Sequence, residues 1–181
     1  LHGLVADHPA SGARLVATGS SGVGKTTLAL ALLAAGWDVQ GDESLILREG
    51  AGLAVPRPFQ VKPGSFERVA AVSPWADTAK ELDHLPGVRI VTPHQADRPW
   101  RTTLAAVDHL AVLGRHDGPT RLEGLETPAA LEALREQLFT TTEAASTLAN
   151  GLGALVVRAR LHRLLLGDDA LAPSILTEAL A

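Results

Sequence analysis

Residues 19–26 read Gly19-Ser20-Ser21-Gly22-Val23-Gly24-Lys25-Thr26, a full match to the phosphate-cradling spacing G-x-x-x-x-G-K-[ST]. The flanking segments constrain the fold as much as the motif does. Residues 14–18 (RLVAT) form a short apolar, β-branched run that reads as a buried strand. Residues 25–35 (KTTLALALLAA) are rich in Ala and Leu, both strong helix formers, and Gly36 stands at the expected stop. Strand, glycine loop and helix in that order let backbone N–H groups and the positive end of a helix dipole converge on phosphate oxygens. Residues Gly19, Ser20, Ser21, Gly22, Val23, Gly24, Lys25, Thr26 and Thr27 are therefore the expected nucleotide-phosphate site. Lys25 would reach the β- and γ-phosphates of ATP, and the Thr26 hydroxyl would ligate Mg²⁺.

Composition narrows the remaining possibilities. The 181 residues fit one domain, and 46% apolar content with a net charge of -4 excludes a disordered chain. No cysteine is present, which rules out thiol catalysis, disulfides and cysteine-ligated zinc. Mild acidity and only six aromatic residues argue against a nucleic-acid platform of basic groove and stacking rings. No run of 18 apolar residues exists, so no membrane span is expected. The lysines are Lys25, Lys62 and Lys80 alone, so the one inside the phosphate motif stands out.

The rest of the chain alternates strand and helix signals. Residues 37–41 predict a second strand ending at Asp42 and Glu43, and residues 45–48 and 53–55 flank a hairpin turn at 49–52. Residues 56–74 are rich in Pro and Gly and read as a long irregular excursion. Residues 88–92 and 109–113 are further strand candidates, with a polar loop at 93–100 between them. A helix is expected over 128–139 with Thr127 as N-cap and Pro128 at its first position, and another over 142–157. Residues 160–166 read as a last strand, followed by a short helix capped by Asp168 or Asp169. The expected class is α/β or mixed α+β, a single domain over 1–181 with a mixed sheet and flanking helices.

Phosphate transfer also needs acids. Neither 88–92 nor 109–113 ends in an aspartate, as a distant metal-binding strand would. Asp42 and Glu43 instead close the strand directly after the phosphate-loop helix. Ligands in α/β sheets collect at the carboxyl ends of strands, so one acid could hold Mg²⁺ and the other accept a proton from an attacking hydroxyl. The bland alternative is that the pair only opens the hairpin.

His2-Gly3-Leu4-Val5-Ala6-Asp7, then Gly12-Ala13-Arg14-Leu15-Val16-Ala17-Thr18 into the loop, resembles the catalytic domain of HPr kinase/phosphorylase. So does the stretch LALALLAAGWDVQGDESLIL at 28–47, and 55–65 looks like the shorter HPr-kinase-related proteins found beside peptide-modifying genes. The resemblance implies a P-loop fold of the HPr kinase/PEP carboxykinase type. It implies Asp42 as catalytic base with Lys25, Glu43 at the metal beside Asp42 and Thr26, and His2 as an auxiliary group. It also implies a cytoplasmic bacterial kinase that moves the γ-phosphate of ATP to a serine of a peptide or protein, with a homo-oligomer possible. Leu1, where a Met would open a whole chain, reads as a boundary near the start of that domain. The family's E-x-R-G-L-G segment has no counterpart in this chain.

Arg57, Lys62 and Arg98 are candidate phosphate or substrate clamps, with Arg101 a weaker one. His8, His84, His94, His109, His116 and His162 show no metal-ligand spacing. Two other functions fit the same motif. One is a small-metabolite kinase of the shikimate or gluconate type, for which the loop ending at Arg101 is the sole lid candidate. The other is a nucleotide-binding module without catalysis.

Overall fold

The structure is a computed structural model, and it describes residues 1–139 and 145–181. At its centre lies a six-stranded mixed sheet: β1 (Leu4–Asp7), β2 (Arg14–Thr18), β3 (Asp38–Gly41), β10 (His109–Arg115), β11 (Arg121–Gly124) and β12 (Arg160–Leu166). Their spatial order is β11-β12-β10-β2-β1-β3. Strand β10 runs parallel to both β2 and β12, while β1 is antiparallel to both β2 and β3. Hence β2, β3, β10 and β12 all point the same way, and their carboxyl ends share one edge of the sheet.

The pleat divides two apolar cores. Leu4, Ala6, Leu15 and Ala17 face α1 (Lys25–Ala34), α2 (Phe66–Val72) and α5 (Ala172–Ala179), whereas Val5 and Val16 face α3 (Thr127–Glu136) and α4 (Ala145–Arg158). This is the two-residue period of a sheet covered on both sides. Helix α1 carries no charged residue after Lys25, and Leu28 to Leu33 are all buried, as befits a helix enclosed by protein rather than lying on a surface.

Two small sheets complete the molecule. One joins β4 (Leu45–Arg48), β5 (Ala51–Ala54) and β9 (Ala105–Ala106); the other joins β6 (Phe59–Val61), β7 (Lys80–Leu82) and β8 (Leu85–Val91). The β4–β5 hairpin turns on two residues, Glu49 and Gly50, both with positive φ (52° and 77°). The tighter turn follows from those left-handed angles, whose twist matches that of the flanking strands, so β5 begins two residues earlier than the sequence suggests.

The excursion at 56–74 is more ordered than its Pro and Gly content implies. It contains β6, a short 3-10 turn at Pro63–Ser65 and α2. Val69 is fully buried and the Arg89 guanidinium lies 4.5 Å from the centre of the Phe66 ring, so tertiary packing supplies what local propensity does not. Helix α3 starts at Thr127, with Glu126 at the N-cap in place of Thr127. It ends at Glu136 rather than 139, where Gln137 and Leu138 tighten into i→i−3 bonds to the carbonyls of Leu134 and Arg135. The helix expected over 142–157 occurs as α4, with residues 142–144 of that expectation outside the described residues. Asp168 caps the 3-10 turn at Asp169–Leu171, accepting the Ala170 N–H at 2.9 Å, rather than the final helix α5, which follows Leu171 without a side-chain cap. Among the described residues no helix is long and apolar enough to cross a membrane.

Candidate active site

The glycine loop leaves the carboxyl end of β2 and enters α1 through Gly24, whose φ of 119° is one that side-chain-bearing residues rarely adopt. A Cβ there would also meet the Arg115 guanidinium at 2.7 Å. Lys25 is buried, and its ammonium donates to the carbonyls of Gly19 (2.6 Å) and Ser20 (3.0 Å), curling back over its own loop. Burial lowers the Lys25 pKa from the usual lysine value.

Strand β3 delivers Asp42 to the same edge. Strand β1 lies between β2 and β3 and runs the other way, so it is the amino end of β1, with His2, that falls between the loop and the acids. The Thr18 hydroxyl ties this end down by donating to the His2 carbonyl at 2.9 Å. The Thr26 hydroxyl donates to Asp42 Oδ2 at 2.5 Å. Asp42 is only 7% exposed, and burial pushes its carboxyl up to about 6 despite the Thr26 hydrogen bond. His2 is shifted the opposite way, below the ordinary histidine value, by burial and by the Lys25 charge.

These groups line a cleft of about 160 Å³. Small-molecule pockets usually span about 300–1,000 Å³, so this one has room for phosphate groups and not for a whole nucleoside. Its floor includes Gly22, Gly24, Lys25, Thr26, Asp42 and Glu43, and His2 closes one side. Gln60, Lys62, Ser65 and Arg68 also line it. The segment from β6 into α2 thus brings two cations to the cleft, of which only Lys62 was a sequence candidate. Arg68 could have been found from its place in a short helix opened by Ser65, had that helix been read.

Two candidates are placed otherwise than expected. Arg57 pairs with Glu43 at 2.8 Å, both side chains being substantially exposed, so it engages the acid rather than hanging free over the loop. Arg98 is not in the cleft: its guanidinium lies against Gly36, past the far end of α1. The loop bearing it is fixed beside β3, with Trp100 Nε1 donating to the Gln40 carbonyl at 2.9 Å.

Strand β10, the parallel neighbour of β2, ends in Arg115 where a metal-binding acid is a common alternative. Arg115 Nε donates to the Val23 carbonyl at 2.9 Å and its guanidinium pairs with Asp169 at 2.8 Å, bracing the loop from behind. Nothing in residues 109–113 announced this, because the contact depends on which strand lies beside β2. Among the described residues no cluster of three or more His, Asp or Glu side chains is placed to hold a metal by itself. A magnesium ion is nonetheless compatible with the oxygen donors of Thr26, Asp42 and Glu43, since Mg²⁺ commonly takes one or two protein carboxylates and completes its shell with water and substrate phosphates. The other histidines serve elsewhere. His8 Nδ1 accepts from the Ser11 N–H at 3.0 Å, and His109 stacks on His162.

No protein-family model and no curated protein matches the chain. Among solved structures it is similar to the HPr(Ser) kinase/phosphatase from Coxiella burnetii, with a TM-score of 0.47 and 12% identity over 99% of this chain and 95% of that chain.

Proposed function

We propose that the chain is an ATP-dependent kinase that transfers the γ-phosphate to a hydroxyl group. The observation that carries this reading is the Thr26–Asp42 contact: a phosphate-loop threonine bonded at 2.5 Å to a buried carboxyl held at about 6. A carboxylate with that affinity for a proton is a better general base near neutral pH than an ordinary aspartate.

In the reaction, the acceptor hydroxyl gives its proton to Asp42 as its oxygen forms a bond to the γ-phosphorus. The bond from that phosphorus to the β,γ-bridging oxygen breaks and ADP departs. Loop N–H groups and Lys25 neutralise the phosphates, which requires the Lys25 ammonium to turn from the Gly19 and Ser20 carbonyls toward the ligand. Thr26 with Glu43 would hold Mg²⁺, which offsets phosphate charge when bound, and Asp42 is left to take the proton. His2, kept neutral by its surroundings, lines the cleft as an auxiliary group. Lys62 and Arg68 line the same cleft as the loop and suit the transferred phosphoryl group.

A serine-bearing peptide or protein is the preferred acceptor, on the resemblance of residues 1–65 to HPr kinases. The small-metabolite reading loses its lid, because Arg98 sits at the other end of α1. Asp42→Asn is the deciding variant. Nucleotide affinity by calorimetry should stay within a few-fold while phosphate transfer to a hydroxyl acceptor disappears, and near-normal turnover would sink the assignment.

A further inference from the structure

Lys62, Ser65 and Arg68 recur at intervals of three along the turn from β6 into α2, and all three line the phosphate cleft. A 3-10 turn brings side chains three residues apart into line, and the first turn of a helix nearly does so. The turn at Pro63–Ser65 is closed by the Ser65 N–H, which donates to the Lys62 carbonyl at 2.9 Å, and α2 follows at Phe66. Ser65 thus stands half-buried between two exposed cations. Lys62 is also felt at the loop: the Lys25 pKa is lowered first by burial and further by the Lys62 charge, against the pull of Asp42.

The Ser65 hydroxyl is left to the cleft. At the N-cap of α2 a serine ordinarily accepts a backbone N–H, and Ser65 makes no such side-chain bond. Ser11, Ser73 and Ser174 all use their hydroxyls on nearby backbone groups. The other hydroxyls of the cleft, on Ser21, Thr26 and Thr27, belong to the loop and α1, and Thr26 is already bonded to Asp42. In phosphoryl transfer the loop grips the phosphates, and the nucleophile attacks in line from the side away from the departing ADP. Among the described residues Ser65 is the one cleft hydroxyl outside that gripping segment. Asp42, the proton acceptor, lines the same cleft.

We infer that the chain phosphorylates its own Ser65 within one molecule, and that the phosphoserine then closes the cleft to a further nucleotide. The Ser65 Oγ forms a bond to the γ-phosphorus of ATP and its proton passes to Asp42. The bond from that phosphorus to the β,γ-bridging oxygen breaks, and ADP leaves. The product carries close to two negative charges beside Lys62 and Arg68, which can meet it with charge-assisted hydrogen bonds. A cleft of about 160 Å³ has room for one set of phosphate groups. A phosphoryl group fixed to its lining therefore excludes the γ-phosphate of the next ATP by volume and by like charge. The inference rests on the kinase reading, and it can fail while that reading stands.

The full chain, first treated with a phosphatase, is incubated with Mg·ATP and followed by intact mass and by fragmentation of its peptides. The expected result is a gain of about 80 Da that maps to Ser65, is absent in Ser65→Ala, and appears at a rate independent of protein concentration. A second readout needs no turnover. Affinity for a non-hydrolysable ATP analogue, by calorimetry, should fall about tenfold or more in the Ser65-phosphorylated protein and in Ser65→Asp. Aspartate suits the start of a helix, so folding should tolerate that change. Phosphate on other residues alone, or transfer to an added hydroxyl acceptor with Ser65 unmodified, overturns the inference and leaves the kinase reading intact. A labelling rate that rises with protein concentration overturns the step within one molecule. Unchanged analogue affinity after Ser65 phosphorylation overturns the closing of the cleft. Analogue binding with no phosphate reaching Ser65 or any added hydroxyl acceptor overturns both the inference and the kinase reading.

Discussion

Both ends of the central sheet bury a charge, and they treat it in opposite ways. At the amino end of β2, Arg14 is 2% exposed and every donor it has is used. Its Nε and Nη2 grip Asp7 at 2.7 and 2.8 Å, Nη1 meets the carbonyls of Gly52 and Thr103, and Nη2 also reaches the Thr103 hydroxyl. Gln40 adds a further bond to Asp7 at 2.7 Å. At the carboxyl end, Asp42 is nearly as enclosed but among the described residues has a single side-chain partner, Thr26, and its pKa rises to about 6. A fully paired buried ion joins β1, β2, β3 and the segment before β9 into one piece, whereas an under-paired acid keeps a proton affinity suited to chemistry.

This contrast can be broken or sharpened at several points. The largest effect is expected from Asp42→Asn, which should lower phosphate transfer by about 10²–10⁴-fold in steady-state kinetics. At the other end, Arg14→Met should strand the Asp7 carboxylate and cost about 3–5 kcal/mol in urea unfolding, with nucleotide affinity of the folded fraction unchanged. Little loss there would mean that the Arg14 network is dispensable and the contrast false.

Stability should respond to Asp42 with the opposite sign. Its proton is held more tightly in the folded state, from an ordinary value of 3.8 up to about 6, so its ionisation subtracts stability as pH rises through that window. Asp42→Asn should therefore gain up to about 3 kcal/mol at pH 7, and the gain should vanish below about pH 4 in parallel denaturation curves. The same titration should make wild-type kcat/KM fall about tenfold per pH unit below about pH 6, and a flat profile there would remove Asp42 as the base. The smallest effect belongs to Arg57→Gln. The Arg57–Glu43 pair is half exposed, so its loss should change stability by less than about 1 kcal/mol, by thermal denaturation at moderate salt.

Much of the site was legible because it is local. The eight-residue motif, the strand before it and the alanine-leucine helix after it lie within residues 14–34, where pattern and propensity agree. Asp42 was reachable by the same logic, as the end of the next strand. Arg68 was not, because α2 lies in a Pro- and Gly-rich stretch and depends on burial of Val69. Arg98 looked equivalent to Lys62 in sequence, yet one lines the cleft and the other faces Gly36 at the opposite end of α1. A cation's neighbours depend on where its loop docks, and loop docking is a long-range matter.

The sequence alone determined that a strand, a glycine loop of phosphate-cradling spacing and a helix follow one another and that two acids come next at a strand end, since hydrogen bonding and helix propensity act over a few residues. Tertiary structure decided the rest. Inserting β1 antiparallel between β2 and β3 put His2 beside the acids, and placing β10 next to β2 set Arg115 behind the loop. Enclosing Asp42 with one side-chain partner among the described residues, while giving Arg14 several, separated a carboxyl of raised pKa from a fully paired ion. Strand order and burial arise from packing distant segments together, and no short stretch of this chain encodes either.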